Sequence, residues 1–333
     1  MNVVITGITG FAGSHLAEYL IRKGHHVRGL GAPQDSLTHL DTLISNGYLQ
    51  ANDVVLADLE DRTAIRRLLN PIPDFLYHLA AQASVPRAWE NPRETFRINV
   101  LGTLTLLECL RELRPCPKML YVSSADVYGA SADSSIPLTE EFPMHPLNPY
   151  SLSKASADSL CQQSFLRHGL PIIRVRPFNH IGPHQSVGFA AADFASQIAR
   201  GEVNTDYRKI HVGKLDAIRD FTDVRDMVKA YELAIIFGEP GAVYNICSGV
   251  GHSLQELLDG LLSLSPIPFK VVQDESLMRP TEISYCVGSN RLFTELTGWS
   301  PQIPWSQTLM DILENHRHQV ISKTSSNKFT IIN

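Results

Sequence analysis

Short apolar runs alternate with longer amphipathic segments through the first half of the chain. The apolar runs predict β-strands at residues 2–6, 26–30, 53–57, 75–79, 118–123 and 171–176. Segments with helical periodicity predict helices at 11–23, 63–69, 92–113 and 149–168. Strands that alternate with helices at this spacing are typical of a parallel, doubly wound α/β sheet. The strands are apolar throughout, as expected of a sheet covered on both faces.

The alternation weakens after Arg176, where the segment PFNHIGPHQ concentrates proline, glycine and histidine. Another strand-like run follows at 242–247 and another helical pattern at 253–264. We therefore divide the chain into a first α/β domain at 1–178, to which segments near 211–245 return, and a smaller C-terminal α/β lobe at 179–320. Residues 321–333 are polar, and we expect a poorly ordered tail there.

Composition and charge exclude several classes of protein. The net charge of −5 comes without any lysine- or arginine-rich stripe, which argues against non-specific nucleic-acid binding. The five cysteines are odd in number and widely spaced, so neither a disulfide framework nor a structural zinc site is expected. The chain shows no signal-peptide pattern and no apolar run of membrane-spanning length. We expect a cytoplasmic protein that binds no nucleic acid and no membrane.

Three glycines follow the first predicted strand. The segment GITGFAG places Gly7, Gly10 and Gly13 between that strand and the first helix. A glycine-rich turn in this position lets the backbone approach a pyrophosphate, and the helix N-terminus supplies free N–H groups. An ordinary tight turn is the alternative, but the strand–turn–helix context favours a dinucleotide-binding Rossmann domain.

A tyrosine and a lysine lie four positions apart in YSLSK, as Tyr150 and Lys154. Alone, such a pair also fits a half-buried helix face with a surface lysine. Together with the spacing of the glycines, however, the Tyr-x-x-x-Lys pattern resembles the extended short-chain dehydrogenase/reductase family. HLAAQ, from His78, resembles the family's segment after the fourth strand. ADLED places Asp58 where the extended branch contacts adenine, although a loop carboxylate or helix cap is an alternative for Asp58.

The resemblance implies a nicotinamide cofactor, NADPH or NADH. The residues expected to bind it are Gly7, Gly10, Phe11, Gly13, Asp58, Leu59, Leu79, Ala80, Ala81, Tyr150 and Lys154. An acidic residue at the end of the second strand would favour NADH, and a basic one NADPH. In VRGLGAPQD no acid stands at the strand end, Asp35 comes late and Arg28 lies within the strand. The choice stays open, with a slight preference for NADPH.

The catalytic candidates follow the fifth strand and begin the fourth long helix. In a parallel sheet, residues just beyond a strand's C-terminal end face the ligand crevice, so SSADVYG places Ser124 there. The resemblance implies that Ser124 polarises a carbonyl group, that Tyr150 donates a proton to it, and that Lys154 lowers the tyrosine pKa and positions the cofactor. A loop cap is the alternative for Ser124.

Asp126 is a further candidate for catalysis and for substrate binding. Dehydratases of this family carry a glutamate at the matching position, often after another polar residue. Here the preceding residue is Ala125. Loss of a 6-hydroxyl group requires a base that removes a proton from C5 and an acid that protonates the leaving hydroxyl group at C6. Ala125 can do neither, and the aspartate is shorter than the glutamate of the dehydratases, so the pair serves this reaction poorly. The departure favours a reductase or an epimerase.

Motifs in the second lobe resemble those of family members that bind nucleotide sugars. These motifs are RPFNHIGP, RDFTDVRD, VYNICSG and MRPTE. The resemblance implies that the substrate is bound by Ser124, Asp126, Asn179, Arg219, Arg279 and Glu282, with the arginines on the diphosphate. Singly, each arginine also fits a surface salt bridge.

The set of motifs is most similar to that of family members that reduce the 4-keto group of GDP-4-dehydro-6-deoxy-D-mannose to give GDP-D-rhamnose. A reductase giving GDP-6-deoxy-D-talose, and an epimerase or 4,6-dehydratase with recycled NAD, remain alternatives. A non-catalytic cofactor sensor is disfavoured because both Tyr150 and Lys154 are present.

Two features have no assigned chemistry. His180 and His184 lie four apart, but Gly182 and Pro183 break any helix between them, so we expect no metal site. The predicted helix at 92–113 carries an apolar stripe, for which a buried core face is the default; its residues are Phe96, Val100, Leu104, Leu107 and Leu110. The family resemblance implies that this helix and the Tyr150 helix pair across a two-fold axis, which predicts a homodimer built on a four-helix bundle.

Overall fold

The structure of the protein, a computed structural model, describes residues 1–130, 136–278 and 283–329. The strands in this part of the chain are β1 (Asn2–Thr6), β2 (His26–Gly31), β3 (Val54–Leu56), β4 (Phe75–His78), β5 (Lys118–Val122), β6 (Ile172–Pro177), β7 (Asn179–Ile181), β8 (Lys209–Val212), β9 (Ile218–Asp223), β10 (Val243–Ile246), β11 (Gly251–Ser253), β12 (Lys270–Gln273) and β13 (Tyr285–Cys286). The α-helices are α1 (Phe11–Arg22), α2 (Asp41–Ser45), α3 (Arg62–Leu68), α4 (Val85–Glu90), α5 (Pro92–Phe96), α6 (Gly102–Arg111), α7 (Pro149–His168), α8 (Ala190–Val203), α9 (Val224–Phe237), α10 (Leu254–Ser263), α11 (Arg291–Thr297) and α12 (Trp305–Phe329).

Seven parallel strands form the central sheet in the order β10-β6-β5-β4-β1-β2-β3. The order reverses between β1 and β4, so a crevice opens at the carboxyl ends of these two strands, where α/β sheets bind ligands. The predicted doubly wound α/β fold is confirmed. No helix in the described ranges combines the length and apolar character that a membrane span requires.

Both faces of the sheet are buried, which explains why its strands are apolar without alternation. Val3 and Ile5 of β1 pack into the core on one side, with α1 and α9. Val4 packs into the core on the other side, with α3, α6 and α7. Successive strand residues point to opposite faces, so a sheet covered on both sides favours apolar residues at successive positions, as in β1.

The predicted helix at 92–113 is interrupted. It consists of α5, a π-helical turn at Arg97–Leu101, and α6. The turn contains Asn99, whose side chain is buried. A π-turn inserts one residue into a helix, and such bulges are frequent at functional sites. Leu107 and Leu110 of α6 are buried in the core as predicted, whereas Leu104 remains partly exposed.

The smaller lobe contains short strands and three packed helices. β9 pairs with β7, β11 and β13, while β8 pairs with β12. α8, α10 and α12 enclose a separate apolar core that includes Ile198, Leu258 and Leu313. α9 and β10 return to the first domain, where β10 forms the edge strand of the main sheet. The backbone of α12 is helical to Phe329, through most of the range predicted as a tail.

Candidate active site

The glycine turn after β1 is closely packed against its surroundings. Gly7 has φ +76 and donates its N–H to the Leu30 oxygen at 2.6 Å. A Cβ atom at Gly7 would lie 2.7 Å from the nitrogen of Ala80, and one at Gly13 would overlap the Gly7 carbonyl oxygen. Gly10 caps α1 without any side-chain hydrogen bond. The turn therefore leaves its backbone open to a ligand at the N-terminus of α1, which fits the pyrophosphate of a dinucleotide.

The segment after β4 completes the crevice. Leu79 donates its N–H to the Thr6 oxygen at 3.1 Å, which places Leu79, Ala80 and Ala81 beside the glycine turn. His78, at the end of β4, lies between two hydroxyl groups, with Nδ1 at 2.6 Å from Thr6 Oγ1 and Nε2 at 2.9 Å from Thr103 Oγ1.

The Thr103 hydroxyl donates its proton to the Asn99 carbonyl oxygen, so His78 Nε2 must be the donor to Thr103 and Nδ1 the acceptor from Thr6. Burial lowers the pKa of His78 to about 3, so the imidazole is neutral and fixed in one tautomer.

Asp58 is engaged in an ion pair. Its carboxylate lies 2.8 Å from Arg97 and also accepts the Glu60 N–H at 3.0 Å. Arg97 additionally contacts the carboxylates of Glu60 and Glu94. The neighbouring Leu59 is buried against Gly102, where a Cβ atom would lie 2.6 Å from Leu59 Cβ. The predicted adenine contact of Asp58 and Leu59 stays a prediction.

Arg28 lies within β2, as predicted, and not at its end. The Arg28 guanidinium donates to the carbonyl oxygens of Asn70 and Pro71 at 2.9 and 2.6 Å. These two residues precede β4, so the guanidinium lies towards the amino-terminal ends of the strands, opposite the crevice. Arg28 therefore does not face the crevice, and the slight preference for NADPH stays a prediction. Asp35, in contrast, folds back so that Oδ2 accepts hydrogen bonds from the Ala32 N–H and the Thr9 hydroxyl, beside the glycine turn.

The start of α7 is fixed by its own sequence. Asn148 is the N-cap and accepts the Ser151 N–H at 2.8 Å, while Ser151 Oγ receives the Asn148 N–H in return. Pro149 occupies the first helical position, where its missing N–H costs nothing. This capping box holds Tyr150 on the first turn, facing the loop after β5.

Ser124, Asp126 and Tyr150 lie together at the carboxyl end of β5. Ser124 begins the 3₁₀ turn Ala125–Tyr128, accepts the Asp126 N–H at 3.2 Å and forms a hydrogen bond with the Tyr150 hydroxyl. Burial raises the pKa of Tyr150, the charge of Asp126 raises it further, and the bond to Ser124 lowers it only in part. The net direction is opposite to the predicted lowering, so the phenol holds its proton firmly at neutral pH.

Lys154 is buried beneath this group, with only 4% of its surface exposed. Its Nζ donates to the Val122 carbonyl oxygen at 2.6 Å and lies 4.7 Å from the centre of the Tyr121 ring. Burial lowers the pKa of Lys154 to about 8, against the opposing effects of Cys161 and Asp158. The ammonium group is therefore charged at neutral pH but close to its titration range.

A buried ion-pair network supports Lys154, and sequence analysis did not identify it. The Asp158 side chain is fully buried and binds Arg174 at 2.7 Å and Arg176 at 3.1 Å. Arg176 also donates to the Tyr128 hydroxyl, which donates to Asn245 Oδ1. Burial opposes ionisation of Asp158, but the two arginines outweigh it and lower the carboxyl pKa. The one available signal was Asp158 four residues after Lys154, on the same helix face.

Asn99 is a second residue that sequence analysis missed. Its side chain holds the backbone of Gln82 through two hydrogen bonds and donates to Ser153 Oγ at 2.9 Å. Ser153 in turn donates to the Tyr150 carbonyl oxygen at 2.7 Å. The π-turn thus ties the loop after β4 to the helix that carries the catalytic candidates. A polar residue inside an apolar helical stripe was the available signal.

The substrate candidates are partly described. Asn179 begins β7 and is exposed, and Arg219 lies on the neighbouring strand β9. Arg279 and Glu282 lie outside the described residues. Cys286 links the two lobes: its pKa is raised to about 12 by burial and by the charge of Asp126, while Arg219 lowers it. The charges of Asp126, in the first domain, and Arg219, in the second lobe, thus have opposite effects on the pKa of this one thiol.

His180 contacts the glycine turn. Its ring stacks on that of Phe11 with 5.8 Å between centroids. His15 Nε2 lies 2.9 Å from the Pro183 oxygen, so the start of the second lobe packs on α1. Within the described ranges, no group of histidine, cysteine and carboxylate side chains is arranged to hold a metal ion.

Comparison with known proteins identifies similar chains. The family model described as GDP-mannose 4,6 dehydratase matches residues 4–312. The chain is 37% identical over 319 residues to GDP-6-deoxy-D-mannose reductase of Pseudomonas aeruginosa, covering 96% of this chain and 98% of that relative. It is 30% identical to GDP-mannose 4,6 dehydratase 2 of Arabidopsis thaliana, covering 90% and 82% respectively.

Solved structures agree with these relatives. The structure of RMD from Pseudomonas aeruginosa complexed with NADPH has a TM-score of 0.82 and 36% identity, covering 96% of this chain and 99% of that one. UDP-glucose 4-epimerase of Thermus thermophilus in complex with NAD has a TM-score of 0.80 and 26% identity, covering 95% and 99%. Reductases, dehydratases and epimerases that use nicotinamide cofactors thus share this architecture.

Proposed function

Since this chain belongs to the GDP-mannose 4,6-dehydratase family, we propose that it is the reductase of that family that converts GDP-4-dehydro-6-deoxy-D-mannose into GDP-D-rhamnose with NADPH or NADH. The observation that carries the proposal is the group formed by Ser124, Asp126 and Tyr150. This group offers a protonated phenol and a neighbouring hydroxyl group, both able to donate a hydrogen bond to a carbonyl oxygen. The similarity to a GDP-6-deoxy-D-mannose reductase over almost the whole of both chains supports it.

The chain's own residues supply the proton chemistry. When bound, the nicotinamide cofactor supplies a hydride to the ketone carbon. Tyr150 donates its phenolic proton to the ketone oxygen, and Ser124 stabilises the charge that develops on that oxygen. The buried Lys154 ammonium, held by the Val122 carbonyl oxygen, provides positive charge that favours the tyrosinate left behind. Its pKa of about 8 keeps that charge present at neutral pH.

The loop after β5 favours reduction over dehydration. A 4,6-dehydratase must also remove a proton at C5 and assist loss of the 6-hydroxyl group, which requires a second acid/base pair. In this chain the residue before Asp126 is Ala125, whose side chain is apolar and 3% exposed. Asp126 can orient the sugar by accepting a hydrogen bond from one of its hydroxyl groups, but a single short carboxylate next to an alanine serves the two proton transfers of a dehydration poorly.

The substrate's diphosphate has candidate ligands on the second lobe. Asn179 and Arg219 lie on neighbouring strands, β7 and β9, and Arg219 is paired with Cys286 of β13, which belongs to the same buried cluster as Ala125. A guanidinium group suits phosphate oxygens because it donates two parallel hydrogen bonds. We assign the diphosphate to Arg219 and Asn179, and include Arg279 and Glu282 as candidates from the sequence.

We also propose a cytoplasmic homodimer. Its interface is formed by α6 and α7, two helices that carry exposed apolar side chains. Leu104 of α6 is 36% exposed and Leu152 of α7 is 48% exposed. Two copies of this helix pair would form a four-helix bundle that buries these leucines. All five cysteines are free, which suits a reducing compartment. Light scattering on the wild type and on Leu152→Glu tests the dimer: a monomeric wild type would reject it.

The test of the activity is direct. Purified protein is incubated with freshly prepared GDP-4-dehydro-6-deoxy-D-mannose and NADPH, then NADH, while reduced-cofactor absorbance is followed and the product is assigned by NMR. Consumption with GDP-D-rhamnose as product is expected. Tyr150→Phe should lower kcat by a factor of about 10² to 10⁴, whereas the exposed control Tyr207→Phe should not. The talose epimer would correct the face of attack, and no consumption with either cofactor would reject a reductase.

A further inference from the structure

Four histidines from three parts of the chain meet where the second lobe packs on α1. His15 lies in α1, His39 in the loop after β2, and His180 and His184 in β7 and the segment that follows it. The ring centroids of His15 and His184 are 5.9 Å apart, and those of His39 and His184 are 6.0 Å apart. His180 stacks on Phe11 of the glycine turn. We call these four residues the histidine group.

His184 is held in one protonation state by α12. Its backbone N–H donates to Asn315 Oδ1 at 3.1 Å, which leaves the Asn315 amide nitrogen to donate to His184 Nδ1 at 3.2 Å. His184 Nδ1 must therefore be unprotonated, because an amide nitrogen only donates. A proton added at Nδ1 would bring two donors together and remove this hydrogen bond. The backbone of His184 has φ +69, which side chains other than asparagine, aspartate and histidine rarely accept.

His15 holds the same segment from the side of α1. Its Nε2 donates to the Pro183 carbonyl oxygen at 2.9 Å. Within the segment, Gln185 Nε2 donates to the His180 carbonyl oxygen at 3.1 Å, which closes the chain on itself. Segment 180–185 is therefore held between α1 of the first domain and α12 of the second lobe, and a histidine makes the hydrogen bond on each side.

The carboxylates that face His15 already have cationic partners. These carboxylates are Glu18 of α1 and Asp223, the N-cap of α9. Glu18 binds Arg22 at 2.6 Å, and the two oxygens of Asp223 bind the Arg225 guanidinium at 2.9 and 2.7 Å. Arg225 itself also faces His15 and adds positive charge there. A protonated imidazole in this position would therefore meet carboxylates whose charge is largely neutralised.

The surroundings favour neutral imidazoles. Burial lowers the pKa of three members of the group, and the nearness of other members lowers that of the last two further; the three are His15, His180 and His184. On α12 the titratable neighbours are Asp311, which pairs with Arg225, and His316, whose side chain is buried. A released segment binds protons at the ordinary histidine pKa of 6.5, so the docked arrangement loses stability as pH falls below that value.

We propose that the histidine group is a pH-sensitive clamp, which holds the second lobe against the glycine turn at neutral pH and releases segment 180–185 in acid. Protonation of His184 removes its hydrogen bond from Asn315, and charged rings with centroids 5.9 and 6.0 Å apart repel one another. Because His180 stacks on Phe11, release also loosens the glycine turn and weakens dinucleotide binding there. The proposal goes beyond the proposed function and rests on it only for the class of cofactor.

Hydrogen exchange of the cofactor-free protein tests the clamp, with rates corrected for the intrinsic pH dependence of exchange. Between pH 7.5 and pH 5.5, protection of segment 180–185 should fall by about tenfold relative to that of β5. In the double variant His15→Gln/His184→Asn it should fall by no more than about twofold, because glutamine can still donate to the Pro183 oxygen and asparagine accepts a positive φ. His318→Gln, at an exposed histidine of α12, is the matched control and should behave as the wild type.

Calorimetric titration with NADP⁺ at the same two pH values tests the link to the cofactor. The wild type should lose at least about threefold more affinity than the double variant between pH 7.5 and pH 5.5. The 2′-phosphate of the cofactor titrates near pH 6 with both proteins, so only this difference counts. Equal losses of protection in the two proteins, or equal losses of affinity, would overturn the proposal. A protein that shows the clamp but does not reduce the GDP-keto sugar would refute the proposed function alone.

Discussion

Replacement of Lys154 by methionine is expected to remove the activity and to change how the stability of the protein depends on pH. Methionine has a similar length and no charge, and the site is 4% exposed. The pKa of Lys154 is lowered by burial from 10.5 to about 8. Each pKa unit corresponds to about 1.4 kcal/mol. At pH 7 the buried charge therefore costs about 3 kcal/mol of folding free energy relative to a neutral side chain.

The sign of the pH dependence follows from the same shift. Between pH 8 and 10.5 the unfolded chain binds a proton at this lysine that the folded protein has released, so wild-type stability rises with pH through this window. Below pH 8 the cost is fully present. At pH 9.5 more than half of this cost has gone, so the stability of the wild type should rise by about 2 kcal/mol relative to that of the variant between pH 7 and pH 9.5.

The assay is chemical denaturation of both proteins at the two pH values. Methionine also leaves the Val122 carbonyl oxygen without its donor, which costs about 1–3 kcal/mol but does not depend on pH. The change of about 2 kcal/mol between pH values is thus the decisive quantity. Lys214→Met, at an exposed lysine, is the matched control and should show no such change. A Lys154→Met stability difference that is the same at both pH values would refute the reasoning.

Three further predictions concern the surroundings of the site. Gly13→Ala should abolish NADH and NADPH binding in a fluorescence titration, since its Cβ would overlap the Gly7 carbonyl oxygen; retained binding would contradict the packing of the turn. The pKa of His78, lowered to about 3, makes the folded protein less stable as pH falls below 6.5, by about 2 kcal/mol at pH 5. Comparing acid unfolding of the wild type and His78→Gln should show this loss in the wild type only. Asp158→Asn should cost about 3–5 kcal/mol in denaturant unfolding, because Arg174 and Arg176 lose their buried counter-charge; a cost below about 1 kcal/mol would argue against a tight pair.

Local sequence determined the elements that build the first domain. The apolar runs from β1 to β6 were identified because a sheet buried on both faces leaves few polar positions. The bounds of α7 were predicted to the residue, since Asn148, Pro149 and Gly169 act through contacts within a few positions of themselves. The glycine spacing and the Tyr150–Lys154 pair were equally visible, because each depends on one turn or one helix face.

The second lobe could be predicted only in outline. Its strands β7, β11 and β13 have two or three residues each and pair with β9 from distant parts of the chain. Such short segments carry no periodicity, and their extended conformation depends on the partner strand. The π-turn around Asn99 is also invisible to a helical pattern, because its extra residue is stabilised by contacts with Gln82 and Ser153.

The chemistry of the site depended most on tertiary structure. Sequence placed Tyr150 and Lys154 one turn apart and predicted a lowered tyrosine pKa. Burial and the charge of Asp126, brought in from the β5 loop, reverse that direction. Asp35 reaches the glycine turn only because the chain folds back over four residues. Residue identity and spacing thus determined which groups are available, while the proximity of charges and the exclusion of water, which only the folded chain creates, decided how they behave.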